Sequence, residues 1–379
     1  MQKLIQKVKE DMDKKGITRE ALHKKSGVPK TVITDGILTG KTVEMKFDTF
    51  LKLVPHIYET HLEQNEIVDE FMLRCKYELN TRKALCFCLC AGKMDIIDKL
   101  IAKHVNNVAL KKYLNIYKEI RVCAQKSIDF KRLSKKIDDE SFGISNECAI
   151  LVNILNDLCM YESYDIQKMK MYTEKMKEAL GKVEDRFLKE MLTVFYQLRC
   201  AYIDLHHNQL ESSRNLCRLV LNFSIELPSL KSSALCCIGE SFMFLDKFKS
   251  EAYLIKAIRY LEEHGISIES KKYHNFQTTL AFCYIINGWN LNKIDFRYIA
   301  PSEMGLFEGL YRDREKGIIM LETMLSEHPH NPYLYFYLAY IKNDITGLYK
   351  ALELFIERGN SHYGIAVRRV IEAFEEAKN

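Results

Sequence analysis

Residues 305–355 read G-L-F-E-G-L-Y-R-D-R-E-K-G-I-I-M-L-E-T-M-L-S-E-H-P-H-N-P-Y-L-Y-F-Y-L-A-Y-I-K-N-D-I-T-G-L-Y-K-A-L-E-L-F. Three pairs of positions that are 34 residues apart carry matching side chains: Gly305 with Ala339, Gly317 with Ala351, and Leu321 with Phe355. Small residues are needed where two helices cross, large apolar residues fill the space between them, and 34 residues is the tetratricopeptide period. This stretch therefore predicts stacked helix–turn–helix units.

Weaker copies of the pattern precede this stretch. Gly239 with Ala252 and Ile255 fits one helical pair, and Ala201 with Leu221 fits another, whereas upstream of about residue 190 the period is lost. Each unit exposes an apolar face until a neighbour covers it, so we expect a stack with a concave groove. Chance helical hairpins remain the alternative explanation.

In such repeats the first helix of each pair lines the concave side, and these stacks usually bind peptides or proteins. The pattern nominates polar and aromatic groove residues, which are Tyr202, His206, Glu240, Phe282 and Asn331. For each of them taken singly, a structural role is an equally good interpretation.

The composition of the chain agrees with helices. Of 379 residues, 47% are apolar, while 6 Pro and 16 Gly are fewer than sheet-rich or loop-rich folds need. No window is long and apolar enough to span a membrane, and the first residues alternate charged with apolar types, unlike a signal peptide. We therefore expect a cytoplasmic protein with reduced thiols.

Cysteine and histidine spacing does not suggest chemistry. Cys86, Cys88 and Cys90 are spaced by two, which scatters thiols around a helix and favours buried small side chains over a metal or redox role. The histidines at 206–207 and 328–330 lack the i, i+4 spacing of metal ligands on a helix. The sequence also has no nucleophile elbow or Walker motif. We therefore predict no enzyme, with no catalytic residue, metal or cofactor.

The N-terminal end is the basic end. Residues 1–60 hold 12 Lys/Arg and 8 Asp/Glu, a balance of +4 within a net charge of +5. Thr18 can cap a short helix from Arg19 to Lys25, Ser26-Gly27-Val28 forms a tight turn, and Pro29 can begin the next helix. Two short helices joined in this way match the helix-turn-helix unit, whose second helix enters the DNA major groove.

Along that second helix, Val32, Ile33 and Ile37 are predicted to be buried. The predicted DNA-binding set consists of Arg19 and Lys41, which grip phosphates, and Lys30, Thr31 and Thr34, which read the operator. A generic helical cap on the repeats is the alternative, because Gly36 weakens a helix and Asp35 places a negative charge on the DNA side.

The segment from Gly364 to Lys378 reads as an amphipathic helix. Its apolar stripe consists of Val367, Val370, Ile371 and Phe374. Such a stripe must be covered, and a two-fold interface there would also set the spacing of two DNA-binding heads. The stripe predicts a homodimer through the C-terminal end; the alternative is a helix that caps the last repeat.

This layout resembles the peptide-sensing regulators of Gram-positive bacteria and their phages. T-R-E-A-L-H-K-K-S-G-V-P-K-T-V-I, residues 18–33, is similar to the lambda-repressor-like class of helix-turn-helix domains. Over nearly its whole length the chain resembles the arbitrium receptors of temperate Bacillus phages, the AimR family. The stretches that carry this resemblance are Gly40-Lys41-Thr42 leading to Phe47, N-T-R-K-A-L-C-F-C-L-C-A-G-K-M-D-I-I-D-K-L-I from Asn80 to Ile101, Ile238-Gly239 with Ser241, Phe282 before Trp289, and Asn331.

The resemblance implies a homodimer that binds double-stranded operator DNA and promotes transcription of a small regulator of lysis. It also implies a hexapeptide that is secreted and re-imported. This peptide ends in Gly-Ala, usually preceded by Arg, and it binds the repeats and switches the activation off. The peptide contacts carried over by position are Asn331, Asn360 and Phe282. Where related receptors have amide side chains in the groove, this chain has Tyr202, His206 and Glu240. We therefore expect it to bind a peptide whose sequence differs from those of its relatives.

The predicted fold is all-α, with an N-terminal helix-turn-helix bundle followed by a tetratricopeptide-like right-handed superhelix. The predicted parts are a DNA-binding domain at 1–55, a helical linker with degenerate repeats at 56–190, peptide-binding repeats at 191–360, and a capping and dimerisation helix at 361–379. The predicted function is control of the lysis–lysogeny decision in a bacterial host cell. The second hypothesis is a Rap-like tetratricopeptide adaptor that inhibits a partner protein without binding DNA. The basic, exposed second helix of the helix-turn-helix unit favours the first hypothesis.

Overall fold

The computed structural model describes residues 1–125 and 145–376, which form α-helices with short 3₁₀ and π segments between some of them. These residues contain no β-strand, so the predicted all-α fold class is confirmed. None of the helices in the described ranges is both long and apolar enough to cross a membrane. The last three positions of the predicted C-terminal part, 377–379, lie outside the described residues.

Short helices form a bundle at the N-terminus: α1 (Gln2–Lys14), α2 (Arg19–Ser26), α3 (Lys30–Ile33) and α4 (Phe47–Leu53). Helix α2 begins where predicted, because the Thr18 hydroxyl accepts a hydrogen bond from the backbone N–H of Ala21 at 3.2 Å. It ends at Gly27, whose φ of 71° is a left-handed conformation that glycine adopts without strain. Helix α3 continues as a π-helical turn, Thr34–Leu38.

The buried side of α3 differs by one residue from the prediction. Ile33 and Ile37 are buried as expected, but Val32 is 38% exposed. Positions 33 and 37 are one turn apart and share a face, whereas successive residues are rotated by about 100° around a helix, so position 32 leaves that face. Val32 is therefore an apolar side chain on the surface that was predicted to meet DNA.

Further helices make up the rest of the described chain: α5 (His61–Arg74), α6 (Glu78–Ala91), α7 (Met94–His104), α8 (Lys111–Gln125), α9 (Asn146–Glu162), α10 (Ile166–Leu180), α11 (Arg186–His206), α12 (Leu210–Leu221), α13 (Pro228–Phe242), α14 (Lys247–Glu263), α15 (Lys271–Asn287), α16 (Pro301–Tyr311), α17 (Arg314–Glu327), α18 (Pro332–Lys342), α19 (Ile345–Glu357) and α20 (Ser361–Glu376). Consecutive helices pack as pairs, most closely α9 with α10, α11 with α12, α13 with α14, α16 with α17 and α18 with α19. Several of these helices begin at an aspartate that caps the first turn, namely Asp165, Asp185, Asp246, Asp313 and Asp344. This is the predicted tetratricopeptide-like stacking of helical pairs.

Close packing where α16 crosses α17 explains why two positions of the 34-residue pattern, 305 and 317, are glycine. A Cβ atom on Gly317 would lie 2.5 Å from the Cα atom of Gly309 and 2.8 Å from the carbonyl oxygen of Gly305, so the two backbones touch here. A Cβ atom on Gly305 would lie 3.1 Å from the side chain of Leu321. Only glycine permits this approach at position 317.

The C-terminal helices reach back to an earlier part of the stack. The backbone N–H of Ile166 donates to the carbonyl oxygen of Arg358 at 3.0 Å, and the Arg358 guanidinium donates to the carbonyl oxygen of Ser163 at 2.5 Å. A turn at Gly359, with φ of 76°, then directs α20 across α11 and α13. These contacts join the α9–α10 turn to the last helical pair and so enclose the space between them.

The apolar stripe predicted to form a dimer is covered by the chain itself. Val367, Val370 and Ile371 are 0%, 7% and 5% exposed, and the partly buried Phe374 has its ring 6.0 Å from that of Tyr340. The preceding repeats supply this cover, so the three aliphatic side chains are not available to a second chain in this conformation. Their placement corresponds to the alternative interpretation, a helix that caps the last repeat. A homodimer stays a prediction.

Candidate functional site

Two adjoining cavities, which together we call the groove, lie between the helical pairs. Their volumes are about 200 Å³ and 230 Å³, and together they fall within the range of ligand pockets, roughly 300–1,000 Å³. The walls that both cavities share are Tyr161, Glu162, Glu240, Asn275 and Thr279. The structure places all six predicted peptide contacts on this groove, with Tyr202 in the first cavity, Glu240 in both, and His206, Phe282, Asn331 and Asn360 in the second.

Glu240 is a buried carboxyl group at the centre of the groove. It lies on α13, and its Oε2 accepts a hydrogen bond from the Tyr363 hydroxyl at 2.9 Å, while Oε1 is 3.6 Å from the Cys236 thiol. Burial disfavours the charged form and raises the pKa of Glu240 to about 7, although the two hydrogen-bond donors lower this pKa in part. A cation placed beside this group would restore its charge, so the position is suited to a basic ligand group.

His206 is a buried imidazole that faces the same cavity. It ends α11, and neither ring nitrogen forms a hydrogen bond with any of the residues that the structure describes. Burial lowers the pKa of His206 to about 3; the nearby Asn360 amide offsets a part of this shift without a hydrogen bond of normal geometry. The neutral ring therefore offers one donor and one acceptor to a ligand.

The first turn of α20 forms one wall of the groove. His362 Nε2 lies 3.1 Å from the backbone carbonyl oxygen of Glu240, and the ring of Tyr363 lies 6.0 Å from that of His206. Burial lowers the pKa of His362 to about 4. This wall comes from a part of the chain more than a hundred residues after α13, so its contribution depends on the closure by the C-terminal helices.

A second buried carboxyl group, Glu303, was not predicted. It lies in the first turn of α16 and accepts hydrogen bonds from the Tyr337 hydroxyl at 2.8 Å and the Ser302 hydroxyl at 2.6 Å. Burial raises the pKa of Glu303. Position 337 follows position 303 by 34 residues, so the two residues occupy equivalent places in neighbouring repeats. The repeat period could therefore have predicted that they lie close together.

An aromatic surface connects the two carboxyl groups. The ring of Phe282 lies 5.7 Å from that of Tyr363 and 5.9 Å from that of Tyr337, the two tyrosines that donate to Glu240 and Glu303. Aromatic faces attract cations as well as apolar groups. The groove can therefore hold a chain that carries both apolar and positively charged side chains.

The two predicted asparagines are engaged by their own helices. The side-chain oxygen of Asn331 accepts from the backbone N–H of Tyr333 at 3.0 Å, and that of Asn360 accepts from the backbone N–H of Tyr363 at 3.2 Å. The Asn360 amide also donates to the Tyr333 hydroxyl at 3.2 Å. Each carbonyl keeps a second lone pair, so a ligand contact adds to the capping of α18 and α20 and does not replace it.

A buried ion pair supports the wall that carries Tyr202. The Arg199 Nε atom lies 2.5 Å from Oδ2 of Asp157, and the other oxygen of Asp157 accepts from the Thr173 hydroxyl at 2.9 Å. The guanidinium carbon of Arg199 lies 5.0 Å and 5.6 Å from the ring centres of Tyr161 and Tyr202. The pair thus holds two aromatic walls of the groove in place.

We expect Glu240 to make stability depend on pH. Its folded pKa of about 7 exceeds the ordinary value of 4.5, so the folded chain binds this proton more tightly than the unfolded chain, and the free energy of unfolding falls as pH rises between the two values. Compared with Glu240→Gln, which cannot ionise, the wild type should lose about 2 kcal/mol between about pH 5.5 and pH 7. Urea unfolding across this range measures the difference.

His206 acts with the opposite sign, which is why the comparison must use the two proteins and not the wild type alone. Its folded pKa of about 3 lies below the ordinary value of 6.5, so its contribution rises with pH between those values. This contribution is the same in wild type and Glu240→Gln and cancels in the difference. Parallel stability curves for the two proteins would contradict the predicted role of Glu240.

The predicted DNA contacts lie on the exposed surface of the N-terminal bundle. Lys30 Nζ is 2.5 Å from a carboxylate oxygen of Glu20, and the Arg19 guanidinium donates to the Thr34 hydroxyl at 3.2 Å. The structure thus brings Arg19, Lys30 and Thr34 together around Glu20, while Thr31 and Lys41 are exposed outside this cluster. Because Glu20 pairs with Arg19 and Lys30, DNA must displace a carboxylate from two of the predicted cations.

The three clustered cysteines are buried in a helix, as the sequence predicted. Cys86, Cys88 and Cys90 are fully buried in α6, and burial raises the pKa of the Cys88 thiol well above its ordinary value. Within residues 1–125 and 145–376, no group of three or more His, Cys, Asp or Glu side chains is arranged to hold a metal ion.

Known proteins share the sequence pattern and the fold. A family model described as AimR transcriptional regulator-like matches residues 64–366. The structure of phAimR with ligand superposes with a TM-score of 0.73 at 15% identity, over 82% of this chain and 92% of that one, and selenomethionine phAimR with 0.59 at 18%, over 98% and 96%. An uncharacterized protein of Bacillus anthracis is 27% identical over 223 residues, 58% of this chain and 82% of its own length.

Proposed function

Since this chain belongs to the AimR transcriptional regulator-like family, we propose that it is a peptide-regulated, DNA-binding transcription regulator that controls a phage lysis–lysogeny decision. As a homodimer in the cytoplasm of a bacterial host it binds an operator, and a short communication peptide, a hexapeptide, switches it off. The proposed organisation keeps the predicted parts: 1–55 for DNA binding, 56–190 as linker, 191–360 for peptide binding and 361–379 at the C-terminal end.

The observation that carries this proposal is the convergence of six predicted peptide contacts on one groove with buried carboxyl groups. Glu240 and Glu303 line this groove, where burial raises the pKa of each, so a positively charged group beside them would stabilise their ionised forms. An arginine side chain of a peptide meets this need with charge-assisted hydrogen bonds. Asn331 and Asn360 supply amide contacts beside it, and His206 supplies a neutral one.

DNA recognition is proposed for the exposed surface of the N-terminal bundle. Lys30, Thr31 and Thr34 on α3 and its π-helical continuation read base edges, while Arg19 and Lys41 bind phosphates. The exposed Val32 adds an apolar group to this surface, of the kind that contacts a thymine methyl group.

For the homodimer, we propose an interface through the exposed side of α19. Val367, Val370 and Ile371 are already covered, whereas Tyr349 and Ile356 on α19 are 51% and 50% exposed. These apolar side chains can meet their counterparts across a two-fold axis. Ile356→Asp should then give a folded monomer by light scattering, and a dimer of unchanged mass would place the interface elsewhere.

One experiment tests the peptide and the DNA together. Full-length protein is screened against a random hexapeptide library and, separately, against random DNA duplexes, and the selected peptide and duplex are then titrated by calorimetry. We expect peptides with arginine to be selected, and the selected peptide to weaken binding of the selected duplex. Selection of no hexapeptide would contradict the proposed function.

We expect two kinds of DNA contact to respond differently to substitution. Lys41→Ala removes a phosphate contact, so affinity should fall similarly for all duplexes and the salt slope should decrease by about one unit. Lys30→Ala with Thr34→Ala should reduce preference for the selected duplex over other sequences. Fluorescence anisotropy over a salt series measures both, and unchanged affinity in the double variant would mean that another helix reads the DNA.

The Rap-like adaptor is kept as the second candidate because Arg19 and Lys30 are already paired with Glu20. An adaptor of this kind would bind a hexapeptide but no duplex. The DNA arm of the experiment therefore separates the two functions.

A further inference from the structure

An ion triad around a buried lysine joins the N-terminal bundle to the repeats. Lys83 on α6 is 3% exposed, and its Nζ atom lies 2.8 Å from Oδ1 of Asp48 and 3.0 Å from Oδ2 of Asp185. Asp48 belongs to the first turn of α4, in the bundle, whereas Asp185 is the N-cap of α11, in the repeats. A single ammonium group therefore connects the two.

Neighbouring contacts make this junction rigid. The ring of Phe47 lies 5.8 Å from that of Phe187 in the first turn of α11, and the backbone N–H of Phe47 donates to the side chain of Asn80 at 3.0 Å. The Asn80 amide in turn donates to the buried carboxylate of Glu44 at 2.8 Å. The start of α4 is thus fixed against α6 and α11 by apolar packing, hydrogen bonds and charge.

Helix α11 extends from this junction to the groove. It has 21 residues and so measures about 30 Å. Asp185 caps its first turn at the junction, and its last two turns carry Tyr202 and His206, which line the groove. A ligand that displaces these side chains acts on the same rigid helix that holds the N-terminal bundle, and helix shifts of about 1–2 Å are a common means of passing such a signal.

We infer that Lys83 is a positioning residue, which transmits a movement of α11 to the DNA-binding bundle through Asp48. The inference rests on the proposed function and adds the route by which a peptide in the groove alters DNA binding. Lys83 lines neither the groove nor the predicted DNA surface, so its replacement changes the connection and leaves both binding surfaces intact.

The test compares duplex affinity of the full chain with and without a saturating amount of the selected hexapeptide. In the wild type we expect the peptide to change this affinity by about 5- to 150-fold, the usual size of coupling between two sites. In Lys83→Met the ratio should approach one while the variant binds the duplex alone and the peptide alone as the wild type does. Lys83→Arg keeps both ion pairs and should keep the wild-type ratio.

Lys231→Met is the matched control, because it removes the ion pair of another buried lysine, with Glu226 at 3.0 Å, that lies away from the junction. Its ratio should equal that of the wild type, and a loss as large as in Lys83→Met would overturn the inference. If Lys83→Met does not fold, Asp48→Asn weakens only the bundle side of the triad and should lower the ratio. An unchanged ratio in either folded junction variant overturns the inference, whereas a wild type that binds no hexapeptide or no duplex contradicts the proposed function itself.

Discussion

Replacing Arg199 with methionine is expected to lower the free energy of unfolding by about 3–5 kcal/mol, because it leaves the carboxylate of Asp157 buried without its cation. Asp157 is 0% exposed, and the hydrogen bond that it accepts from Thr173 remains in this variant. Burial already raises the pKa of Asp157, so part of the loss is relieved when the group takes up a proton at low pH. Denaturant unfolding near neutral pH measures the effect.

A double substitution separates the buried charge from the lost packing. In Arg199→Met with Asp157→Leu both charges are gone and apolar groups fill the space, so most of the lost stability should return. Arg186, which pairs with Glu190 on the exposed surface of the same helix, is the control; Arg186→Met should leave the unfolding midpoint unchanged, because solvent screens exposed pairs. A double variant no more stable than Arg199→Met would contradict this account.

Gly317→Ala is expected to cost about 3 kcal/mol or more, since overpacking of a tight contact is destabilising and here the obstacle is backbone. The added methyl group would lie 2.5 Å from both the Cα and the N atom of Gly309, and no side-chain rotation can relieve that contact. Helices α16 and α17 must separate to accommodate it. Thermal unfolding, followed by circular dichroism, should show the loss.

Gly181→Ala is the matched control for this substitution. Gly317 lies inside α17, whereas Gly181 directly follows α10; its φ is −56°, and a Cβ atom there would meet a carbonyl oxygen at 3.6 Å, an ordinary contact distance. Removing glycine at such a position restricts the unfolded chain and changes stability by only about 0.4–1 kcal/mol, in the stabilising direction. Equal losses in the two variants would show that the crossing of α16 and α17 is not the cause.

The fold could be predicted from the sequence because its signals are local. The spacing of Gly305 and Gly317 reports a close helix crossing, and the hydroxyl of Thr18 begins α2 as expected. The error at Val32 arose because a four-residue helix gives too little periodicity to fix its buried face. Short elements leave this choice to tertiary packing.

The candidate groove was predictable only in part, because its walls come from distant parts of the chain. Residues on the first helices of pairs, such as His206 and Glu240, could be nominated from the repeat pattern. Tyr363 could not, since it enters the groove only after the turn at Gly359 brings α20 across α13. The cover of Val367 follows from the same closure, which no local pattern reports.

The hydrogen bonds between Arg358 and the α9–α10 turn, at Ser163 and Ile166, also restrict how the number of repeats can change in evolution. In an open solenoid each repeat contacts only its neighbours, so duplication or deletion of a repeat leaves the remaining contacts intact. Here a hydrogen bond spans 195 positions of the chain, and an extra helical pair inserted between its ends would separate them. The number of repeats between Ser163 and Arg358 is therefore fixed by geometry, and descendants of this chain can acquire new ligands by substitution in the groove but not by lengthening it.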